Sequence, residues 1–291
     1  MGNTPAGPAT SSASVQQTAR AERFRALHTP GTPLVLPNAW DAASALLVEH
    51  AGAHAVATSS SGASWSMGAA DGEQLDRHQT LELISRITAT VDVPVTADIE
   101  GGYAQDPAGV GETVRLVLAA GAVGVNLEDA RQGGPAPLRP VAEQAARLAA
   151  ARRAADAEGI PLFLNARLDT YLFEVGEPET RLARTLERAR AYREAGADGI
   201  FVPGVTDLPV VAALAEGIDA PLNVLAGPGS PPVADLAAAG AARVSVGGSL
   251  AAAAYGLAHR AARELLTTGT CDALADGISM DPLLAPGRAT P

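Results

Sequence analysis

Short runs rich in Val, Leu and Ile alternate along this chain with longer Ala-rich amphipathic segments, and the alternation begins near residue 34 and continues without a break in composition. The runs are LVLPNA (34–39), AVATSS (55–60), PVTADI (94–99), AVGVNLED (122–129), PLFLNARL (161–168), GIFVPG (199–204), PLNVLA (221–226) and ARVSVG (242–247). They predict eight strands. Between them lie helix-compatible stretches such as 113–121, 141–159 and 181–196, each ending in the glycine that commonly stops a helix. The phrases AGAHAV, AGAVGV, AGADGI and AGAARV recur just before strands, as a repeated helix-to-strand turn would. Strands apolar on both faces and separated by helices imply a parallel sheet, and eight such units imply a (β/α)8 TIM barrel over residues 15–270. Residues 1–14 read as a disordered tail and 271–291 as a C-terminal tail. A doubly wound open sheet is the alternative. It would carry a Gly-rich phosphate fingerprint after the first strand, and LVLPNAWDAAS has none.

Composition narrows the function. The 291 residues carry a net charge of −11 and no basic run, which excludes a nucleic-acid partner and favours a small molecule. Cys271 is the sole cysteine, so there is no disulfide framework and no Cys-ligated metal, and a reducing cytoplasm is the expected setting. The first residues lack the basic and apolar regions of a signal peptide, and no stretch is long and apolar enough for a membrane partner.

In a barrel of this kind chemistry gathers at the C-terminal ends of the strands. Here PVTADIEGGY delivers Asp98 and Glu100 two residues apart, hence on one face, and GVNLEDA delivers Glu128 and Asp129. Such carboxylates repel one another unless a cation neutralises them, and hard oxygen donors suit Mg²⁺ or Mn²⁺. Asp71, in GAADGEQ, is a further acidic candidate or a turn-forming Asp-Gly. Ser59, Ser60, Ser61 and Gly62 form a Ser/Gly-rich turn that could cradle a carboxylate or phosphate, or serve only as a loop. Arg167 is placed to hold a substrate carboxylate, or else to pair with Asp169 or a nearby Glu. Asn223 also falls among the strand-end polar residues, and AGPG (226–229) and VGGSL (246–250) occupy the usual phosphate-binding place of the fold or serve close packing. The five histidines fall away from strand ends, which argues against a His metal triad, and no G-x-S-x-G elbow is present.

These residues, in this order, resemble the isocitrate lyase and phosphoenolpyruvate mutase superfamily over roughly residues 20–270. ADIEGGYA (97–104) is similar to its Asp-x-Asp-x-Gly-Tyr-Gly element, with Glu100 for the second Asp and Ala104 for the last Gly. GVNLED (124–129) is similar to its metal-linked Glu-Asp segment, PNAWDAASA (37–45) to its opening turn, SSSG to its substrate-anion loop, and Arg167 to its substrate-binding Arg. The resemblance implies Mg²⁺ held through Asp71, Asp98, Glu100 and Glu128. It also implies a 2-oxo or 2-hydroxy carboxylate bound by Ser59–Ser61, Gly62, Asn223 and Arg167, and a reaction through a pyruvate-like enolate. It further implies a homo-oligomer, dimer or tetramer, with the eighth helix exchanged between subunits. The departure lies in ARQGGPAPLRP (130–140), which has none of the Cys, His or Lys of the superfamily's gating loop; Tyr103 and Arg131 stand as candidates for the missing proton donor, with Arg167 beside them. The expected activity is a carbon–carbon lyase or an aldol-type enzyme running in reverse. The alternatives are a carbon–phosphorus enzyme and a catalytically reduced binding or assembly protein.

Overall fold

A computed structural model describes residues 12–29, 31–131 and 136–285. The chain forms β1 (Leu34–Leu36), β2 (Asn38–Ala39), β3 (Val56–Thr58), β4 (Val95–Asp98), β5 (Gly124–Glu128), β6 (Phe163–Arg167), β7 (Gly199–Val202), β8 (Leu222–Leu225) and β9 (Ala241–Ser245). All pairings among them are parallel, in the order β1-β9-β8-β7-β6-β5-β4-β3-β2. The first expected strand is thus present in two pieces, because Pro37 has no N–H to give to a ladder. Its first piece pairs with β9 and its second with β3, which closes the barrel. Asn38 seals that seam. Its Oδ1 accepts from the N–H of Val246 (3.0 Å) and Gly247 (2.8 Å), and its Nδ2 donates to the Thr58 carbonyl (2.9 Å).

The helices are α1 (Ser12–Ala26), α2 (Ala42–His50), α3 (Ser60–Ser66), α4 (Arg77–Thr90), α5 (Pro107–Ala119), α6 (Val141–Glu158), α7 (Pro178–Glu194), α8 (Leu208–Gly217), α9 (Val233–Ala238), α10 (Ser249–Thr267) and α11 (Asp281–Leu284). Local chemistry explains the starts: Asp41, Asp76, Asp106 and Asp207 each cap a helix by accepting a backbone N–H, and Pro107, Pro178 and Pro209 sit in first turns where no N–H is needed. Asp106 with Pro107 starts α5 six residues before the stretch read from periodicity. α1 begins at Ser12, inside the segment expected as tail, whose residues 1–11 lie outside the described residues. It plugs the bottom of the barrel with Phe24, fully buried and edge-on to both Phe163 and His28. Within 271–291 a 3-10 turn (Asp272–Leu274) and α11 are described, and α11 lies against α2 with Leu283 buried.

The last barrel helix does not close the wall. α10 buries only Ala251 and Ala261, leaving Leu257, Leu265 and Leu266 exposed. The outer face of β1 is correspondingly open: Val35 is 48% exposed and lines a groove of 790 Å³ with Leu34, Pro37, Val48 and Ala51. Among the described residues no helix is long and apolar enough to cross a membrane.

Candidate active site

Asp98 ends β4, and its carboxylate is fixed by neighbours on both sides: Ser60 Oγ donates to Oδ2 (2.8 Å) and the Glu100 N–H reaches Oδ1 (3.2 Å). Its backbone N–H is held by Thr58 Oγ1 at 2.8 Å. Ser60 comes from a helix and not from the loop expected at SSSG. Ser59 caps α3, its Oγ accepting from Gly62 N (3.2 Å) and lying 3.1 Å from Ser61 Oγ, because a Ser in extended conformation ahead of a small-residue segment is a strong helix start. Gly62 has a packing reason: a Cβ there would stand 2.8 Å from Trp40 Cβ and 3.1 Å from Ala251 Cβ.

Beyond Asp98 the chain turns sharply, with Glu100 and Tyr103 both in the left-handed region (φ 47° and 50°). This geometry is bound from several sides. The buried Glu100 carboxylate accepts from Tyr103 Oη (2.7 Å) and from Glu73 N (2.5 Å), while Glu73 Oε1 accepts from Tyr103 N (3.1 Å). The fully buried Arg147 of α6 donates to the carbonyls of Gly101, Ala104 (3.1 Å) and Gln105 (3.3 Å). Burial, and next the Asp98 charge, push the Glu100 carboxyl up to about 7. Burial and the Glu100 charge likewise keep the Tyr103 phenol protonated well above its ordinary range.

Across the barrel mouth, β5 and β6 place Glu128 opposite Arg167. Arg167 Nη1 lies 2.9 Å from Glu128 Oε2, and Nε donates to Asp169 Oδ1 at 2.7 Å, so both partners left open by the sequence are present. The guanidinium also lies over the Phe201 ring, 5.9 Å from its centroid. Asp169 is held by its neighbour in turn: its N–H donates to Asp129 Oδ1 (3.0 Å), and Asp129 Oδ2 accepts from Arg188 (2.9 Å) and Tyr192 (3.0 Å) of α7. Two buried carboxylates thus share one guanidinium. Burial is the first cause that raises Glu128 and Asp169 above the ordinary carboxylate range, against the pull of Arg167.

One group recurs in these balances. The Asp98 charge acts to raise Asp71, Glu100, Glu128 and Asp169 alike, which sets Asp98 among the other four. Asp71 reaches this group from an exposed segment after α3. Asn223 lies deeper, buried on β8, bonded to Asn165 Nδ2 (3.2 Å) and Ser245 Oγ (3.0 Å). Arg131 lies at the base of the 130–140 segment, where Ala130 and Leu138 form a bridge, and its ion-pair partner is Glu143 at 3.9 Å, not a strand-end carboxylate. The tip of that segment, 132–135, lies outside the described residues.

The donor set can be matched to a divalent ion. Among the described residues no three His, Cys, Asp or Glu side chains close a cage by themselves. Mg²⁺ does not require one, since it keeps several waters and takes one or two carboxylates. Five neighbouring carboxylates against Arg167, with Asp169 Oδ2 buried and unpartnered among the described residues, leave negative charge for such an ion to offset.

Comparison with known proteins identifies the family. The family model for phosphoenolpyruvate phosphomutase matches residues 24–266. The chain belongs to the phosphoenolpyruvate phosphomutase family. Its membership of the wider isocitrate lyase and phosphoenolpyruvate mutase superfamily, the likeness read from ADIEGGYA and GVNLED, is supported by curated relatives. It is 31% identical to 2-methylisocitrate lyase of Escherichia coli over 68% of this chain and 67% of that one, and 31% identical to oxaloacetate decarboxylase of Rhodopseudomonas palustris over 70% and 69%. A Burkholderia cenocepacia structure provisionally described as a lyase/mutase superposes with a TM-score of 0.86 at 40% identity, covering 92% of this chain and 96% of that chain. A phosphonopyruvate hydrolase solved with oxalate and Mg²⁺ superposes at 0.77 with 25% identity, covering 89% and 91%. This family member therefore sits among lyases, decarboxylases, mutases and hydrolases.

The pairing of Asp169 with Arg167 was among the sequence's alternatives. Arg147, Arg188 and Arg243 were not singled out by the sequence, and Asp129 stood there without the partners that hold it. Those partners lie far off in the chain, and only the inward phase of Arg243 and Ser245 on a two-residue strand repeat could have flagged any of the three arginines.

Proposed function

We propose that this protein is a Mg²⁺-dependent carbon–carbon lyase that acts on a small 2-oxo or 2-hydroxy carboxylate through a pyruvate-like enolate. The observation that carries the reading is the set of carboxylates around Asp98, opposite an Arg167 that is already braced by Glu128 and Asp169. Asp98 would hold the cation directly, with Asp71, Glu100 and Glu128 on its waters; bound there, the cation supplies positive charge for an oxyanion developing at C2. In a 2-oxo substrate the bond from C3 to the next carbon breaks, and its electron pair passes through C3 to that C2 oxygen. The departing carbon leaves as a neutral carbonyl compound once its hydroxyl gives up a proton to the protein, and that proton later returns to C3. In a 2-hydroxy substrate the C2 hydroxyl gives up its proton and becomes the oxo group as the C2–C3 bond breaks, and the fragment carrying C3 takes the pair and then the proton.

The chain's own groups do the rest. Arg167 Nη2, free of protein partners among the described residues, would meet the substrate carboxylate, with Ser59, Ser60 and Ser61 on the other side. Phe201 and Pro203, both buried, form an apolar flank that keeps water from the enolate. Tyr103 Oη and Glu100 Oε1, 2.7 Å apart, form a pair able to hold and pass a proton, whereas Arg131 is drawn to Glu143. We place the exposed face of α10 on the β1 groove of a second copy, as a dimer or tetramer of the cytoplasm.

The test is an assay for pyruvate release from small 2-oxo and 2-hydroxy diacids, with phosphonopyruvate alongside and oxalate as inhibitor. Expected are Mg²⁺-dependent release from a diacid, loss with chelator, and inhibition by oxalate. Faster turnover of phosphonopyruvate would move the assignment to carbon–phosphorus chemistry. Absence of any Mg²⁺ thermal shift together with absence of oxalate and pyruvate binding would overturn it.

A further inference from the structure

Arg243 projects from β9 into the barrel axis and is 1% exposed. One of its nitrogens is used: Nη2 donates to Asn126 Oδ1 at 3.3 Å. Nε and Nη1 are buried with no protein partner among the described residues, and no carboxylate there pairs with the guanidinium. The polar side chains bonded around it among the described residues are neutral. Asn165 Nδ2 donates to Asn126 Oδ1 (2.9 Å) and to Asn223 Oδ1 (3.2 Å), and Asn223 is bonded to Ser245. Below, the guanidinium lies 6.0 Å from the centroid of the Phe24 ring, which closes the barrel floor.

A buried cation without a counter-ion is costly, and folding alone would be better served by an apolar side chain of similar length. What lies above explains its use. Asn126 stands in register with Asp98 on the neighbouring strand, so Arg243 sits one side chain beneath the residue at the centre of the carboxylate group. Asp98 is also the charged side chain whose field is felt at Arg243. In an interior screened far less than water, a fixed charge at that depth acts on whatever occupies the barrel mouth.

We propose that Arg243 is a buried counter-charge that weakens the site's grip on its divalent cation and strengthens its grip on an anionic substrate. The proposal rests on the cation and carboxylate reading above. It offsets part of the carboxylates' negative charge, and so lowers both their pull on the cation and the repulsion an anionic ligand meets.

The test uses full-length protein and two binding measurements by calorimetry, Mn²⁺ alone and oxalate at saturating Mn²⁺, on wild type, R243M, R243Q and N126D. Removing the positive charge is expected to change the two affinities in opposite directions, each on the order of tenfold: Mn²⁺ tighter, oxalate weaker. R243M and R243Q should agree, although only Gln can still bond Asn126. N126D pairs the guanidinium in place, so it should shift both affinities the same way as R243M while raising the unfolding temperature, and it decides the matter if R243M does not fold. A merely structural role would weaken both ligands together, and that result, or no change in either, overturns the proposal. Failure of wild type to bind Mn²⁺ or oxalate at all would instead refute the functional reading beneath it.

Discussion

Asp98→Asn is expected to lower kcat/KM by about 10³-fold, or ~4 kcal/mol of transition-state stabilisation, with the fold intact. The amide is isosteric: its oxygen can still accept from the Glu100 N–H, and its NH2, in place of Oδ2, can donate to Ser60 Oγ once that hydroxyl turns, so the local geometry keeps its hydrogen bonds. What is lost is the charge that acts on Asp71, Glu100, Glu128 and Asp169. With less repulsion, the metal-free variant should also be no less stable than wild type at pH 8. Steady-state kinetics and thermal unfolding check both; activity within a few-fold of wild type would remove Asp98 from the chemistry.

Arg167→Met has the largest expected effect on stability. Removing one partner of a buried charged network leaves the others uncompensated, at a cost of about 3–5 kcal/mol near pH 8. Here two carboxylates, Glu128 and Asp169, lose their shared cation. Both already lie above the ordinary carboxylate range through burial, and the variant raises them further. A carboxyl raised in the folded state is neutral in both states below its unfolded value, and its penalty accumulates as pH climbs from there to the folded value. The deficit against wild type should therefore be small near pH 4.5 and grow toward pH 8. Denaturant unfolding across that range measures it; a deficit independent of pH would mean that lost packing on Phe201, and not charge, is responsible.

How much of this was legible depends on the range of each interaction. The barrel could be read because each strand declares itself within six to eight residues, and the split at Pro37 is the kind of local event that periodicity blurs. SSSG reads as a loop by composition, yet Ser59 makes it the first turn of α3, since capping chemistry and loop chemistry use the same residues. Asp98, Glu100, Glu128 and Arg167 stood out as charges where apolar runs end. Arg147 did not, because in an Ala-rich helix it looks like a solvated charge, while in the fold it secures carbonyls more than 40 residues away. Asp129 likewise gains meaning only once α7 brings Arg188 and Tyr192 to it, and through it the Asp169 N–H is held.

The central claim is that acidic side chains at the mouth of one barrel hold one divalent ion, with Asp98 as the principal ligand. Calorimetric titration of Mn²⁺ into wild type and Asp98→Asn, side by side and without substrate, addresses it most directly. A single site per chain in wild type, at least tenfold weaker in the variant, is the predicted result. Equal binding by the two proteins, or none by wild type, would contradict it.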